Sequence, residues 1–197
     1  VDRQAERIGA VNTIVNDNGC LSGYNTDAAG FMAALRNGGY EPEGQKAIVL
    51  GAGGAARAVV FALVDAGAGV AVINRTYRNA ELLARETGAA AYEMNESGYR
   101  QALEGASLVV NATSIGMNPD ENISPLPSEL LRPGLTVFDT VYRPRQTRLL
   151  IAAGAAGCAV IGGLEMLLEQ GVLAFELWTG RQAPREVMRQ AVEAAAR

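Results

Sequence analysis

A glycine-rich run at residues 51–56 is the clearest candidate for chemistry in this sequence. The run is Gly51, Ala52, Gly53, Gly54, Ala55 and Ala56, which reads G-x-G-x-x-A. In such a run the first glycine allows a tight turn, the second lets the backbone approach a diphosphate, and the closing small residue lets a helix pack on a strand. The free N–H groups at the start of that helix would hold the anion. The alternative is a glycine-rich turn without a ligand.

A second candidate is the polar run Asn74, Arg75 and Thr76, with Arg78 close behind. Sites for NAD place a carboxylate at this point, where it accepts a hydrogen bond from the ribose 2′-hydroxyl. Here there is no carboxylate, and two guanidinium groups and a hydroxyl suit a 2′-phosphate instead. We therefore predict NADP(H) as the cofactor. The alternative is that both arginines are solvated residues at a helix start, although cations there oppose the helix dipole.

The composition of the 197 residues excludes several other chemistries. The absence of histidine removes Ser-His-Asp triads and His-metal sites. Cys20 and Cys158 are isolated, so we predict no metal site and no disulfide framework, and a cytoplasmic, reducing setting. The net charge of −4 argues against a nucleic-acid partner or an anionic membrane surface. No apolar run reaches the roughly 18 residues of a membrane span.

Short apolar runs alternate with alanine-rich helical patterns from residue 46 onward, which is typical of βαβ units around a parallel sheet. The predicted strands are 47–50, 70–74, 89–92, 107–113, 135–140 and 158–163. The predicted helices between them are 55–67, 78–88 and 147–157. We therefore predict an α/β fold with a Rossmann-like, doubly wound, mostly parallel sheet and helices on both faces.

Two flanking regions lie outside this alternation. Residues 8–26 predict an antiparallel strand pair with Asn18-Gly19 as its turn, and a helix at 28–36 follows. At the other end we expect a long apolar helix over 163–178 and a helix that starts with Pro184 in its first turn.

Seven short blocks in a fixed order resemble the shikimate dehydrogenase family, including its quinate/shikimate relatives, over nearly the whole chain. The blocks are IGAVNT (8–13), GYNTD (23–27), VLGAGGAARA (49–58), NRT (74–76), NATSIGM (111–117), FDTVYRP (138–144) and GGLEMLLEQ (162–170). The resemblance implies an oxidoreductase of aromatic amino acid (chorismate) biosynthesis that reversibly reduces 3-dehydroshikimate to shikimate with NADP. It also implies a division into the tail of an α/β substrate-binding domain (1–40), an NADP-binding domain (41–163) and C-terminal helices that return toward the substrate domain (164–197).

The resemblance assigns a role to four residues of the substrate site. Asp27 matches the family's catalytic aspartate, and Asn12, Tyr142 and Gln170 match substrate ligands. Each has a plainer interpretation: Asp27 as a helix N-cap, Asn12 as a polar residue at a strand end, Tyr142 as an amphipathic rim residue, and Gln170 as an amide bonded to buried backbone.

The same resemblance places three further residues near the nicotinamide. Thr113 and Ser114 follow the carboxyl end of a predicted strand, where open α/β sheets bind ligands. Gly163 opens the long apolar helix, and Met166 lies on the same helix face, although a methionine among leucines is more often core packing. The alternative for Thr113 and Ser114 is an ordinary Ser/Thr turn.

The family's other catalytic residue, a lysine in an N-V-T-x-P-x-K block after a Ser-x-Ser motif, has no match in this sequence. The one lysine, Lys46, follows Asp27 in the chain and cannot align with it. We therefore expect a chain that lacks part of the substrate domain, either as a fragment or as the product of a shortened gene. Such a chain should bind NADP(H), turn over little, and self-associate as a homodimer or by domain swapping through apolar surface.

Other functions remain open at this point. One is a quinate/shikimate dehydrogenase of relaxed specificity that uses NAD, against which the NRT block argues. Another is glutamyl-tRNA reductase, which shares a GAGG-type loop and an NRT block but not IGAVNT or GGLEMLLEQ. The third is a noncatalytic NADP(H)-binding module, which would have no use for Asp27, Asn12 and Gln170.

Overall fold

The N-terminal residues form a helix, a β-hairpin and a second helix in the computed structural model, which describes residues 1–196. The elements are α1 (Arg3–Ile8), β1 (Thr13–Asp17), β2 (Cys20–Tyr24) and α2 (Asp27–Asn37). The predicted hairpin is confirmed, since β1 and β2 pair antiparallel with Asp17 opposite Cys20. Its turn residues, Asn18 and Gly19, both have positive φ (50° and 93°), as a two-residue hairpin turn requires.

The first strand begins five residues later than the sequence indicated. Residues 3–8 are helical because Asp2 caps them, with its carboxylate accepting a hydrogen bond from the N–H of Ala5 at 2.8 Å. Gly9 then ends the helix with a φ of 71°. Asn12 therefore lies in the connection before β1, not inside the strand.

Six parallel strands form the predicted sheet. They are β3 (Lys46–Leu50), β4 (Gly69–Asn74), β5 (Ala90–Glu93), β6 (Leu108–Asn111), β7 (Thr136–Asp139) and β8 (Ala159–Ile161). Their order is β5-β4-β3-β6-β7-β8, and every neighbouring pair is parallel. The strand order reverses between β3 and β6, so the carboxyl ends of these two strands border the crevice in which such sheets bind ligands.

The remaining helices connect the strands or follow the sheet. They are α3 (Gly54–Asp65), α4 (Tyr77–Thr87), α5 (Glu96–Leu103), α6 (Arg148–Ala155), α7 (Gly163–Thr179) and α8 (Arg185–Ala195). Helix α5 was not predicted; Asn95 caps it by accepting a hydrogen bond from the N–H of Gly98 at 2.8 Å. The strand predicted at 107–113 is shorter and ends at Asn111, and Pro184 lies just before α8 instead of in its first turn.

Both faces of the sheet are covered, because alternate strand residues point to opposite sides. On one face Val49, Val72 and Val110 pack with residues of α2, α3 and α4. On the other face Ile48 and Val109 pack with residues of α5 and α6. The predicted doubly wound α/β fold is thus confirmed.

Helix α2 connects the N-terminal residues to the core of the sheet. It packs against α3 and α7, and the ring of Phe31 meets that of Phe138 on β7 edge-on, with centroids 4.9 Å apart. On α3, Arg57 donates to the carbonyl of Ile8 and pairs with Glu86 at 2.6 Å. The segment before residue 40 therefore shares packing with the sheet, and the division of the chain into domains stays a prediction.

Apolar side chains are exposed on the hairpin and at the end of α7, as expected from the sequence. Ile14, Leu21 and Trp178 are 59%, 67% and 59% exposed, and the indole N–H of Trp178 donates to the carbonyl of Ile14 at 2.9 Å. Self-association through this surface stays a prediction. Among the helices of residues 1–196, none has the length and apolar character needed to cross a membrane.

Candidate cofactor and substrate cleft

The glycine-rich run forms the turn between β3 and α3. Gly51 has a φ of 114°, and a Cβ there would lie 2.7 Å from the carbonyl oxygen of Ala112, so both its conformation and its packing require glycine. Gly53 is different, because beyond its own chain neighbours no atom of the described residues lies within 4 Å of a Cβ added there. The space over Gly53 fits the close approach of a diphosphate.

The first turn of α3 offers N–H groups to that space. The N–H of Arg57 bonds to the carbonyl of Gly53 at 2.8 Å and begins the helical pattern, so the N–H groups of Gly54, Ala55 and Ala56 have no partner within the helix. No side chain caps this end of α3. An anion placed here would meet free donors and the positive end of the helix dipole.

The polar run after β4 forms a basic corner beside this turn. Arg75 and Thr76 are exposed, and Arg75 makes no hydrogen bond or ion pair within residues 1–196. Arg78 pairs with Glu81 at 2.7 Å on the surface of α4, an exposed contact that contributes little and leaves the guanidinium free to turn. Asn74 donates to the carbonyl of Thr76 at 2.9 Å and shapes the corner. These groups fit a 2′-phosphate.

A cleft of about 280 Å³ lies on the other side of the glycine-rich turn. It is lined by Asn12, Asp27, Ala55, Thr140, Tyr142, Gly163, Met166, Leu167 and Gln170. The structure thus brings together all four predicted substrate residues with two from the predicted cofactor set, Ala55 and Gly163. Thr140 and Leu167 were not predicted. A larger cavity of about 400 Å³ on the far side of Thr26 contains none of the predicted site residues.

Asp27 begins α2 without capping it. Thr26 occupies the N-cap position, and the side-chain oxygen of the preceding Asn25 accepts from the N–H groups of Asp27 at 3.0 Å and Ala28 at 3.3 Å. The Asp27 carboxylate instead accepts from the amide nitrogen of Asn12 at 2.7 Å. The plainer interpretation of Asp27 as a helix cap was therefore wrong. Burial raises the pKa of the Asp27 carboxyl above its ordinary 3.8, and the hydrogen bond from Asn12 partly opposes that rise.

Asn12 has one amide orientation in this site. Its oxygen accepts from the N–H of Thr26 at 2.9 Å and from the hydroxyl of Thr13 at 2.9 Å. Its nitrogen consequently faces Asp27, because an amide presents acceptors at one end and donors at the other. Asn12 therefore holds the Asp27 carboxylate at the cleft.

Gln170 enters the cleft from α7 through a close helix contact. Its nitrogen donates to the carbonyl of Leu167 at 2.9 Å, and its oxygen lies 3.4 Å from the hydroxyl of Thr26. A Cβ on Gly30 of α2 would lie 2.7 Å from both the backbone nitrogen and the Cβ of Gln170. Gly30 is thus a positioning residue that the sequence did not reveal; its one signal was a glycine inside a helix.

The other predicted site residues lie just after the carboxyl ends of β6, β7 and β8. Thr113 follows β6 and donates its hydroxyl to the side-chain oxygen of Asn111 at 2.7 Å, while Ser114 is exposed beside it. Gly163 has a packing role as well, because a Cβ there would collide with the backbone of Thr140. Tyr142 is 44% exposed at the rim of the cleft.

Lys46 lies at the opposite edge of the sheet. It is the first residue of β3, and its ammonium donates to the carbonyl of Glu104 at 2.7 Å. The cleft borders the carboxyl ends of the strands, so the ammonium of Lys46 does not contact Asp27. Among residues 1–196 no cluster of three or more Cys, Asp or Glu side chains forms a metal-binding group.

Comparison with known proteins assigns this arrangement to a family. A model described as shikimate / quinate 5-dehydrogenase matches residues 33–118, and one described as shikimate 5′-dehydrogenase C-terminal domain matches residues 163–193. The NADP(+) shikimate dehydrogenase of Moorella thermoacetica is 51% identical over 195 residues, which are 95% of this chain and 66% of that protein. The chain belongs to the shikimate dehydrogenase family.

Solved structures of the shikimate dehydrogenase family have the same fold as this chain. The enzyme of Thermus thermophilus in complex with NADP(H) and shikimate is 47% identical, with a TM-score of 0.89 over 98% of this chain and 71% of that one. Quinate dehydrogenase from Corynebacterium glutamicum in complex with NAD is 34% identical, with a TM-score of 0.87 over 98% and 71%. The chain spans about two thirds of the length of the curated relative from Moorella.

Proposed function

We propose that the chain binds NADP(H) and forms one wall of the cleft in which a shikimate dehydrogenase interconverts 3-dehydroshikimate and shikimate. The observation that carries this proposal is the convergence of Asn12, Asp27 and Gln170 beside the first turn of α3 in one cleft. The names of the relatives support the same reaction and the same cofactor. The cleft also speaks against a noncatalytic nucleotide-binding module, which has no use for these three side chains.

The reaction needs a group that exchanges a proton with the substrate. Oxidation of a secondary alcohol removes a hydride from carbon and a proton from oxygen, and NADP⁺ is the chemical group that accepts the hydride. Asp27 borders the cleft, and Asn12 holds one of its oxygens. We infer that the carboxylate accepts the proton of the alcohol in oxidation and returns it in reduction. The raised pKa of this carboxyl favours proton uptake.

Polar side chains at the rim would orient a polyhydroxy acid. Gln170 and Asn12 carry amide donors and acceptors, which are the groups that pair with substrate hydroxyls. Tyr142 adds an aromatic face with a hydroxyl at its tip. We infer that these three residues bind the substrate, while Thr113, Ser114 and Gly163 contact the cofactor.

Turnover by this chain alone should be low. No ammonium stands beside Asp27 in residues 1–196, and removal of one positioned proton-transfer partner lowers rates by about 10² to 10⁴. Substantial NADPH formation from NADP⁺ and shikimate by the purified chain would contradict this part of the proposal.

Cofactor binding tests the proposal directly. In titrations followed by cofactor fluorescence, we expect NADPH to bind at least about tenfold more tightly than NADH. Charge-assisted hydrogen bonds to the 2′-phosphate should add at least the binding free energy that corresponds to about a tenfold change in the dissociation constant. Arg75→Ala should weaken NADPH binding and leave NADH binding unchanged. Arg85→Ala is the matched control, since Arg85 lies in the last turn of α4, away from the basic corner, and pairs with Glu81 at 2.8 Å. Tighter binding of NADH would overturn the assignment.

We also propose that the chain self-associates through the exposed apolar side chains of the hairpin and the end of α7. Sedimentation at rising concentration should show a growing dimer fraction, and Leu21→Asp should reduce it. A monomer at every concentration would contradict the proposal.

We also propose that the chain works in a reducing compartment, the cytoplasm. Both of its cysteines are free, as is usual where thiols are kept reduced.

A further inference from the structure

A buried polar junction joins the ends of β6 and β7 close to the cleft. Asp139 and Asn111 are both 0% exposed. The Asp139 carboxylate accepts from the amide nitrogen of Asn111 at 2.8 Å, the N–H of Val141 at 3.0 Å and the hydroxyl of Thr147 at 2.6 Å. No arginine or lysine pairs with it within residues 1–196. A buried carboxylate without a cation is costly unless donors surround it, and here three do.

The carboxylate of Asp139 dictates the orientation of the Asn111 amide. Because an ionised carboxylate only accepts hydrogen bonds, the nitrogen of Asn111 must face it. The oxygen of Asn111 then accepts from the N–H and the hydroxyl of Thr113, at 3.1 Å and 2.7 Å. The nitrogen also reaches the carbonyl of Ile115 at 3.1 Å. One amide thus holds the turn at 112–116 at two positions, Thr113 and Ile115.

This turn is the part of the crevice that faces away from the basic corner. Its residue Ala112 contacts Gly51 so closely that a Cβ on Gly51 would lie 2.7 Å from the Ala112 carbonyl oxygen. In a sheet of this strand order the adenosine half of a dinucleotide lies toward β4, which carries Arg75, and the second half lies toward β6. The turn at 112–116 is therefore on the nicotinamide side.

The second arm of the junction reaches the substrate cleft. Asp139 holds the N–H of Val141, the residue directly before Tyr142. Thr147, its other partner, also caps α6 by accepting from the N–H of Leu150 at 3.2 Å. The segment that carries Tyr142 is thereby fixed at both ends to one carboxylate.

We propose that Asp139 and Asn111 are positioning residues that hold the turn at 112–116 against the nicotinamide half of NADP(H) and hold the Tyr142 segment at the cleft. The proposal rests on the proposed function, and it gives two fully buried polar residues a task that packing alone does not require. An apolar pair of similar volume would fill the same space and is often as stable or more stable.

The test separates the two halves of the cofactor. Asn111→Asp places a carboxylate against the carboxylate of Asp139 and removes the donor to Ile115. We expect NADPH affinity to fall by at least about tenfold, as for loss of a hydrogen bond to a charged group. Affinity for adenosine 2′,5′-bisphosphate, which lacks the nicotinamide half, should stay within about twofold. Asn16→Asp is the matched control, because Asn16 lies in the hairpin and accepts from the N–H of Gly19 at 2.9 Å, as an aspartate also does.

The results of these titrations either support or overturn the positioning role of Asn111 and Asp139. Unchanged NADPH affinity, or an equal loss for both ligands, would overturn the proposal and leave the junction a purely structural one. If Asn111→Asp does not fold, Asp139→Asn keeps the side-chain volume and should give the same selective loss on a smaller scale. Recovery of NADPH affinity in the Asn111→Asp/Asp139→Asn exchange would support the pairing. Failure of the unaltered chain to bind either ligand would refute the proposed function itself.

Discussion

Asp27 and Asp139 are two carboxylates near the cleft that differ in exposure to solvent and in hydrogen-bond partners. Burial raises the pKa of both carboxyls. Asp139 is sealed from solvent with both oxygens filled by three donors. Asp27 borders the cleft, and only one of its oxygens has a partner within residues 1–196, the amide nitrogen of Asn12. A carboxylate with a free oxygen in a cleft can exchange a proton with a ligand, whereas one sealed from solvent with both oxygens filled holds its donors in place.

The largest expected effect is on the rate of NADPH formation, which should depend on Asp27 much more than on Asp139. Asp27→Asn keeps the size of the side chain and an acceptor for Asn12 but cannot take up a proton. We expect the already low rate of NADPH formation from NADP⁺ and shikimate to fall by about 10² or more. Asp139→Asn should keep the rate within about tenfold of the unaltered chain, since it perturbs only hydrogen-bond geometry. Equal losses in the two variants would show that the carboxylates do not differ in role.

The next effect is on stability, where we expect substitution of Asp139 to cost more than substitution of Asp27. Asp139→Leu leaves three buried donors without a partner and should lower the free energy of unfolding by about 3 kcal/mol or more. Asp27→Leu removes one acceptor from the exposed amide of Asn12, whose nitrogen keeps its hydrogen bond to the hydroxyl of Thr26 at 3.0 Å, so the effect should stay below about 1 kcal/mol. Urea denaturation followed by circular dichroism measures both. A larger loss for Asp27→Leu would contradict the contrast.

A smaller effect is expected from a substitution in α2, the helix that begins with Asp27. Gly30→Ala pushes α2 away from Gln170 and should cost about 1 to 3 kcal/mol as an overpacked contact. Gly171→Ala on α7 is the matched control, because its Cβ would meet only Met188 at an ordinary 3.5 Å. That change should stabilise the helix by up to about 1 kcal/mol. Thermal unfolding of the two variants compares them, and equal shifts would mean that the α2–α7 contact is loose.

The smallest effect is a dependence of stability on pH. A folded-state pKa above the ordinary 3.8 means that the folded protein binds the proton more tightly than the unfolded one. The free energy of unfolding should therefore fall as pH rises from 3.8 through the raised pKa values. Asp27→Asn and Asp139→Asn should each remove part of this slope in urea denaturation at a series of pH values. A slope that steepens in either variant would contradict the pKa direction.

The parts of the fold that depend on neighbouring residues were predictable. The glycine-rich turn, the hairpin turn at Asn18-Gly19 and the alternation of strands and helices are all encoded within a few residues. Helix α1 was not predicted, since six residues give too weak a periodic pattern. Helix α5 was missed because its signal, the cap at Asn95, is a single residue.

The cleft was less predictable because its contacts join distant residues. Thr26 and Gln170 are 144 positions apart, and nothing local indicates their contact. The sequence allowed Asp27 to be the cap of α2, whereas Thr26 is the N-cap and the Asn25 side chain accepts from the first N–H groups, which leaves the Asp27 carboxylate free. Asp139 and Asn111 lie in motifs that were noted for the residues after them, Tyr142 and Thr113, and their own pairing required the sheet.

The pairing of Asn111 with Asp139 also bears on how the chain finds its fold. The two are direct register partners at the last position of β6 and β7. Most strand residues of this sheet are apolar and buried from both sides, so hydrophobic patterning gives little preference for one alignment of neighbouring strands over the next. A slip of one residue would place the carboxylate beside Val110, where no side-chain donor exists. The same polar pair therefore favours the native register of β6 and β7 over misaligned strand pairings during folding.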